Sequence, residues 1–285
     1  MDSIRELLPD EYPLRLREMH KPPERLYIRG ELPPSHLIYL TVVGARAYSP
    51  YGKDVCETLI AGLAGLPVVI VSGLALGIDS IAHRAALRHK IPTVAVPGSG
   101  ISRDAIYPRA HLSLADEIVK NGGALLSPFP PDMKATDWSF PVRNRVMAGL
   151  SQAVLIIEAE KKSGTLITGK YATELNRDVL TVPGSIFSPL SEGPHLLIRL
   201  GATPITTTAE LREALGFKDT TPVVARDYSD LTEDERRAIE ALASPRPREE
   251  LIEILDMEID EANALISALE LKGLITETMG EFRRL

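Results

Sequence analysis

Residues 140–168 read FPVRNRVMAGLSQAVLIIEAEKKSGTLIT. The apolar segment AVLIIEA predicts a buried strand. The residues before it predict a helix that carries Arg143, Asn144 and Arg145 in its first turn. A small-residue loop, Ser163–Thr165, follows the strand and leads into the next helix. A strand that ends in such a loop at a helix start can hold an anion, and the two arginines beside it indicate a phosphate.

Strand and helix patterns alternate on both sides of this stretch, over residues 37–218. Buried strands are predicted at 37–44, 67–73, 92–98, 123–128, 153–159 and 178–185, with a short strand near 203–205. Such an alternation predicts an α/β domain in which helices cover both faces of a parallel sheet. Ligands of these sheets bind beyond the carboxyl ends of the strands, where this chain places mostly glycine and other small residues.

Three further segments complete the predicted organisation. Residues 1–36 contain six prolines and no sustained period, which predicts an N-terminal arm packed on the following domain. The pattern breaks again over 219–229, a predicted linker. Residues 230–285 predict three helices and a small hairpin, the outline of a winged-helix domain.

The composition excludes several classes of protein. No apolar run reaches the roughly 18 residues that span a bilayer, and the N-terminus lacks the apolar core of a signal peptide. The single cysteine, Cys56, excludes an intrachain disulfide and a multi-cysteine metal site. We therefore expect a cytoplasmic protein with no membrane association.

The net charge of −7 is unevenly distributed along the chain. Residues 229–285 hold 15 acids and 7 bases, whereas the remaining residues hold 24 acids and 25 bases. Residues 134–170 hold six bases and three acids, so the neutral main body can carry a local basic patch. The predicted third helix of the tail is acidic, which favours contact with protein over contact with DNA.

Common cofactor and catalytic motifs are missing from the sequence. The first strand loop reads GAR and not GxGxxG, no acid ends the second strand, and no GxxxxGK[ST] occurs. The six histidines lack metal-ligand spacing, and no GxSxG elbow is present. We expect no bound cofactor, no metal and no enzymatic activity.

Four residues allow two interpretations each. Arg143 and Arg145 lie two apart, so on a helix they point to different sides; one could bind a ligand while the other pairs with an acid. Phe140 could stack on a base or pack as a hydrophobic staple. Asp79 is either a helix cap or a functional acid.

A series of motifs resembles the DNA-processing protein A family, also called DprA or Smf. The motifs occur in the family's order over about residues 12–210: VVGAR, VSGLALGIDSIAH, PGSGI, LLSPFPP, FPVRNRVMAGLS, EAEKKSGTLIT and RDVLTVPGS. The resemblance implies an extended Rossmann-like domain with a three-layer parallel sheet, followed by a small C-terminal winged-helix domain. Many members also carry a helical N-terminal domain, for which we expect no room before Tyr12.

The resemblance also implies a function. Family members bind single-stranded DNA in a basic pocket, form homodimers, protect incoming DNA and load the recombinase RecA during natural transformation; none is known as an enzyme. Carried over by motif, the DNA-binding residues are Arg46, Ser72, Gly73, Phe140, Arg143, Asn144, Arg145 and Lys170, to which the phosphate-loop argument adds Ser163, Gly164 and Thr165. The first loop reads GAR where the family usually has GSR, which removes a hydroxyl and keeps the arginine.

Two other functions remain open. The Ser-Gly-Thr loop superficially resembles the phosphate loop of Rossmann-like nucleotide N-glycosidases and phosphoribohydrolases, although the second glycine and a well-placed carboxylate pair are missing. Alternatively, the chain is a scaffold whose acidic tail contacts a partner. Nucleotide hydrolysis would identify the enzyme, and a gel shift with an oligonucleotide would exclude the scaffold.

Overall fold

A large mixed sheet organises the first part of the chain. The computed structural model describes residues 3–217, 231–278 and 280–284. Within residues 3–217 nine strands form one sheet in the order β1-β2-β6-β5-β4-β3-β7-β8-β9. The strands are β1 (Ile4–Glu6), β2 (Tyr27–Gly30), β3 (Ile38–Val43), β4 (Val68–Ser72), β5 (Thr93–Ala95), β6 (Ala124–Ser127), β7 (Ala153–Ile156), β8 (Asp178–Thr181) and β9 (Thr203–Pro204).

Seven neighbouring strands of this sheet run parallel, as the sequence predicts: in spatial order they are β6, β5, β4, β3, β7, β8 and β9. The chain adds β4, β5 and β6 on one side of β3, and then returns to add β7, β8 and β9 on the other side. This reversal makes the gap between β3 and β7 the topological switch point, where ligands of such sheets bind.

Helices cover both faces of the sheet, so the predicted three-layer α/β fold is confirmed. Alternate residues of β3 enter different cores: Leu40 and Val42 pack on one side, Tyr39 and Val43 on the other. This alternation follows from the two-residue period of a strand. The helices are α1 (Leu14–Arg17), α2 (Pro50–Ala61), α3 (Ile78–Arg88), α4 (Leu112–Lys120), α5 (Ser139–Leu150), α6 (Thr165–Glu174), α7 (Glu192–Arg199) and α8 (Thr208–Ala214).

Two helix starts are defined by their caps. The Ser49 hydroxyl accepts a hydrogen bond from the backbone N–H of Gly52 at 3.1 Å, with Pro50 as the first helical residue of α2. Thr207 and Glu210 form a capping box at the start of α8. These local signals fix where each helix begins.

Residues 1–36 differ from the predicted arm. They contribute β1 and β2, which extend the sheet by antiparallel pairing, β2 with β6 and β1 with β2. The pairing sets Tyr27 opposite Ser127 and Gly30 opposite Ala124. A four-residue strand between proline-rich turns is too short to show a period, so the sequence predicts no strand there.

The chain divides into two compact units, Met1–Asp219 and Thr220–Leu285. The predicted linker at 219–229 lies outside the described residues. The second unit contains α9 (Glu233–Ala241), α10 (Arg248–Leu255), α11 (Ile259–Leu271), β10 (Arg246–Pro247), β11 (Ile275–Thr278) and β12 (Glu281–Arg284). Its three helices and its hairpin agree with the predicted winged-helix outline, and β10 adds a short strand beside β12.

Among the described residues, no helix has the length and the apolarity that spanning a bilayer requires.

Candidate functional site

A cavity of about 460 Å³ lies at the topological switch point. Its walls come from the loop after β3, the first turns of α3 and α5, and the loop between β7 and α6. The cavity therefore occupies the place that the parallel-sheet rule predicts. Seven of the residues predicted from sequence line it: Arg46, Phe140, Arg143, Asn144, Ser163, Gly164 and Thr165.

Arg143 forms the floor of the cavity as half of a buried ion pair. Its Nη1 donates to the carbonyl of Val96 at 3.1 Å and lies 3.7 Å from Oδ2 of Asp79. The same Oδ2 accepts hydrogen bonds from the backbone N–H groups of Gly73, at 3.2 Å, and Ala75, at 3.4 Å. The pair thus connects the ends of β4 and β5. Asp79 accepts hydrogen bonds from the loop before α3 and does not cap that helix.

Burial and mutual attraction shift the pKa values of this pair in opposite directions. It raises the pKa of the Asp79 carboxyl, and the guanidinium of Arg143 opposes that rise. Burial likewise lowers the pKa of Arg143, against the opposing attraction of Asp79. Much of the positive charge of Arg143 is consequently balanced from within the protein.

Arg46 and Phe140 stand at the mouth of the cavity. The guanidinium carbon of the exposed Arg46 lies 5.3 Å from the centre of the Phe140 ring, a cation–π contact. The ring packs on Gly98, where a Cβ would come within 2.5 Å of it, and Tyr107 lies 6.0 Å away, centre to centre. The mouth therefore offers an exposed cation beside half-exposed aromatic surface.

The N-terminus of α6 forms the opposite wall. The Thr165 hydroxyl donates to the carbonyl of Gly44 at 3.2 Å, which joins this helix start to the loop after β3. Ser163 Oγ accepts from the backbone N–H of Thr165 at 3.1 Å, and Asn144 Nδ2 donates to the carbonyl of Gly164 at 3.4 Å. The positive end of the helix dipole thus faces the cavity.

The structure places four predicted site residues outside this cavity. Ser72 is buried and donates to the carbonyl of Val42 at 2.7 Å, and Gly73 lines a small neighbouring cleft together with Arg46 and Phe140. Arg145 donates to the backbone carbonyls of His20 and Lys21. Lys170 is exposed and lies 3.8 Å from Glu174. The prediction that Arg143 and Arg145 point to different sides is confirmed.

Sequence reasoning missed two acids beside the cavity. Glu158 is buried and accepts hydrogen bonds from the backbone N–H and the hydroxyl of Ser49, which anchors the loop that carries Arg46. Glu160 lines the cavity itself. The signal for both was two acids at the end of a buried strand. No group of three or more potential metal ligands occurs among the described residues.

Comparison with known proteins assigns the family. The sequence model of the DNA recombination-mediator protein A family matches residues 5–216. The sequence model of the DprA winged helix domain matches residues 224–281. Protein Smf of Escherichia coli is 44% identical over 206 residues, which cover 72% of this chain and 54% of that protein. The matched segment thus spans about half the length of this relative.

Two solved structures are similar to this chain over about three quarters of its length. The DNA processing protein A of Streptococcus pneumoniae matches with a TM-score of 0.68 at 39% identity, covering 74% of each chain. The protein from Helicobacter pylori, studied for its single-stranded DNA binding mode, matches with a TM-score of 0.66 at 29% identity, covering 75% of this chain and 98% of that one. By its sequence and its fold, this chain belongs to the DNA recombination-mediator protein A family.

Proposed function

We propose that the cavity between β3 and β7 binds single-stranded DNA. The observation that carries this proposal is the cation–π contact of Arg46 with Phe140 at the cavity mouth. Single-strand binders combine cations for the backbone with aromatic surfaces for unstacked bases. The relative from Helicobacter pylori, described with single-stranded DNA, supports the assignment.

In the proposed complex each part of the cavity has a separate task. Arg46 neutralises a backbone phosphate, because its charge is exposed whereas that of Arg143 is balanced by Asp79. The N-terminus of α6 supplies further positive potential. Phe140 takes a base on its face, which is accessible in a single strand and hidden in a duplex.

The wider role that we propose is that of a recombination mediator. The chain holds and protects incoming single strands in the cytoplasm, loads RecA onto them during natural transformation, and acts as a homodimer without catalysing a reaction. Family membership supports this role. It is tested by following RecA filament formation on a single strand with and without this protein; an unchanged rate would contradict RecA loading.

A salt titration of single- and double-stranded oligonucleotides tests DNA binding at the cavity. Arg46→Ala should weaken single-strand binding about tenfold or more, since hydrogen bonds to charged groups contribute about 1.5–3 kcal/mol. It should also reduce the slope of log K against log salt by about 0.7, the value for one phosphate contact. The control is Arg88→Ala, which removes an exposed arginine paired with Glu57. Equal affinities of the two variants would contradict the assignment.

A second candidate function has one observation in its favour. Asp79 and Glu160, two acids that the sequence analysis did not bring together, both line the cavity. A nucleotide N-glycosidase could use two such acids. Asp79, however, is engaged by two backbone N–H groups and by Arg143. Release of free base from nucleoside monophosphates would establish this alternative.

A further inference from the structure

The charged groups of the cavity come in equal numbers of each sign. Arg46 and Arg143 line it together with Asp79 and Glu160. Asp79 and Arg143 pair with each other at 3.7 Å, which leaves one cation and one anion for a ligand. A site built only for phosphate would gain nothing from the anion.

Glu160 is the unengaged anion. Its side chain is exposed toward the cavity, and within the described residues its carboxylate makes no hydrogen bond or ion pair, even with the neighbouring Lys161 and Lys162. A carboxylate is an acceptor with two oxygens, and it repels phosphate. Among the groups of a nucleic acid, those with N–H or O–H donors are therefore the ones that Glu160 favours.

A nucleotide unit satisfies both remaining charges. Its phosphate suits Arg46, its base can lie on Phe140 in the same cavity, and the edge of that base carries donors for Glu160. The cavity volume of about 460 Å³ is within the range of small-molecule sites, about 300–1,000 Å³.

We propose that Glu160 makes the cavity selective for guanine in single-stranded DNA, an inference that rests on the proposed DNA-binding function. Among the four bases only guanine presents two adjacent donors, N1–H and the 2-amino group, which can engage both oxygens of one carboxylate. Adenine and cytosine offer a single amino group, and thymine offers a single N–H. Glu160 is in this assignment the specificity-determining residue, while Arg46 supplies affinity without regard to sequence.

The test compares three oligothymidylates that differ at one central position, which holds guanine, inosine or thymine. Inosine keeps N1–H and lacks the 2-amino group. The full chain should bind the guanine strand roughly tenfold more tightly than the thymine strand, the scale of one bidentate base contact, with the inosine strand between them.

Glu160→Gln should abolish this ranking, because an amide offers one acceptor and one donor where guanine needs two acceptors. The matched control, Glu117→Gln, removes an exposed acid of α4 outside the cavity and should retain the ranking. Two outcomes overturn the proposal: equal binding of all three strands by the unmodified chain, or a uniform gain for all three in Glu160→Gln, which would reduce Glu160 to a source of repulsion. If the unmodified chain binds none of the strands, the proposed function itself fails.

Discussion

Gly73 gives Arg143 the space in which its guanidinium lies. A Cβ built on Gly73 would come 1.2 Å from Nη1 of Arg143 and 2.6 Å from Oδ2 of Asp79. The requirement for glycine at the end of β4 is therefore one of space. The predicted DNA-binding residue Gly73 contributes to the cavity indirectly, by allowing the ion pair at its floor to form.

The first prediction concerns Gly73→Ala. The added methyl group must displace Arg143 or Asp79, so the free energy of unfolding should fall by about 1–3 kcal/mol, as for other overpacked cores. Single-strand affinity should fall as well, because the cavity floor is rearranged. Urea unfolding and oligonucleotide binding measure the two effects. For the stability effect the control is Gly164→Ala, since a Cβ at Gly164 has no neighbour within 4 Å; an equal fall in the free energy of unfolding in both variants would contradict the prediction.

The second prediction separates Arg145 from the DNA site. Its guanidinium donates to the carbonyls of His20 and Lys21 and so holds the N-terminal segment against α5. Arg145→Ala should lower the free energy of unfolding by about 1–3 kcal/mol and leave the salt slope of single-strand binding unchanged. If the salt slope falls in Arg145→Ala as it does in Arg46→Ala, Arg145 contacts the DNA.

Local patterns explain why the cavity could be located from sequence. The carboxyl ends of parallel strands meet at one edge of the sheet. The small-residue loop at Ser163 and the helix start at Arg143 are therefore expected to lie near each other. This argument needs only the order of strands and helices. It correctly brought Asn144 and Phe140 into the same site.

The direction and the partners of single side chains could not be predicted in this way. Helical spacing separated Arg143 from Arg145 without showing which of them faces the cavity. The partner of Arg145 is a backbone carbonyl more than a hundred residues away in the chain. Asp79 and Arg143 lie on helices that pack into different cores, α3 and α5, and their side chains meet only in the folded chain. Such contacts depend on tertiary structure, and the spacing of residues along the sequence does not reveal them.

The third prediction distinguishes stacking from charge. Phe140→Leu keeps an apolar side chain on Gly98 but removes the aromatic face, so single-strand binding should weaken by about 1–3 kcal/mol, the range for one stacked base. The salt slope should stay constant, because no phosphate contact is lost. A loss of slope without a loss of affinity at low salt would assign Phe140 to the support of Arg46 alone.

The fourth prediction concerns the pH dependence of stability through His83. This histidine is fully buried, and its Nδ1 lies 2.8 Å from Thr93 Oγ1. The Thr93 hydroxyl donates to the carbonyl of Ile70 at 2.8 Å, so Nδ1–H must be the donor to Thr93. Nε2 is buried and has no partner within the described residues. Burial, with a smaller contribution from His111, lowers the pKa of His83 to about 3.

When folding lowers the pKa of a histidine, the folded state is favoured at pH values above the pKa of that histidine in the unfolded chain, near 6.5. Between about pH 6.5 and 3 the unfolded chain binds a proton that the folded chain does not, so the free energy of unfolding falls with falling pH by up to about 1.4 kcal/mol per unit. His83→Gln should reduce the difference in unfolding free energy between pH 7.5 and pH 5.0, measured in urea, whatever its effect at neutral pH. His36→Gln, at an exposed position, should leave that difference as in the unmodified chain. If His83→Gln also leaves it unchanged, His83 takes up its proton in the folded state near its ordinary pKa, and the unpartnered Nε2 is accessible to solvent.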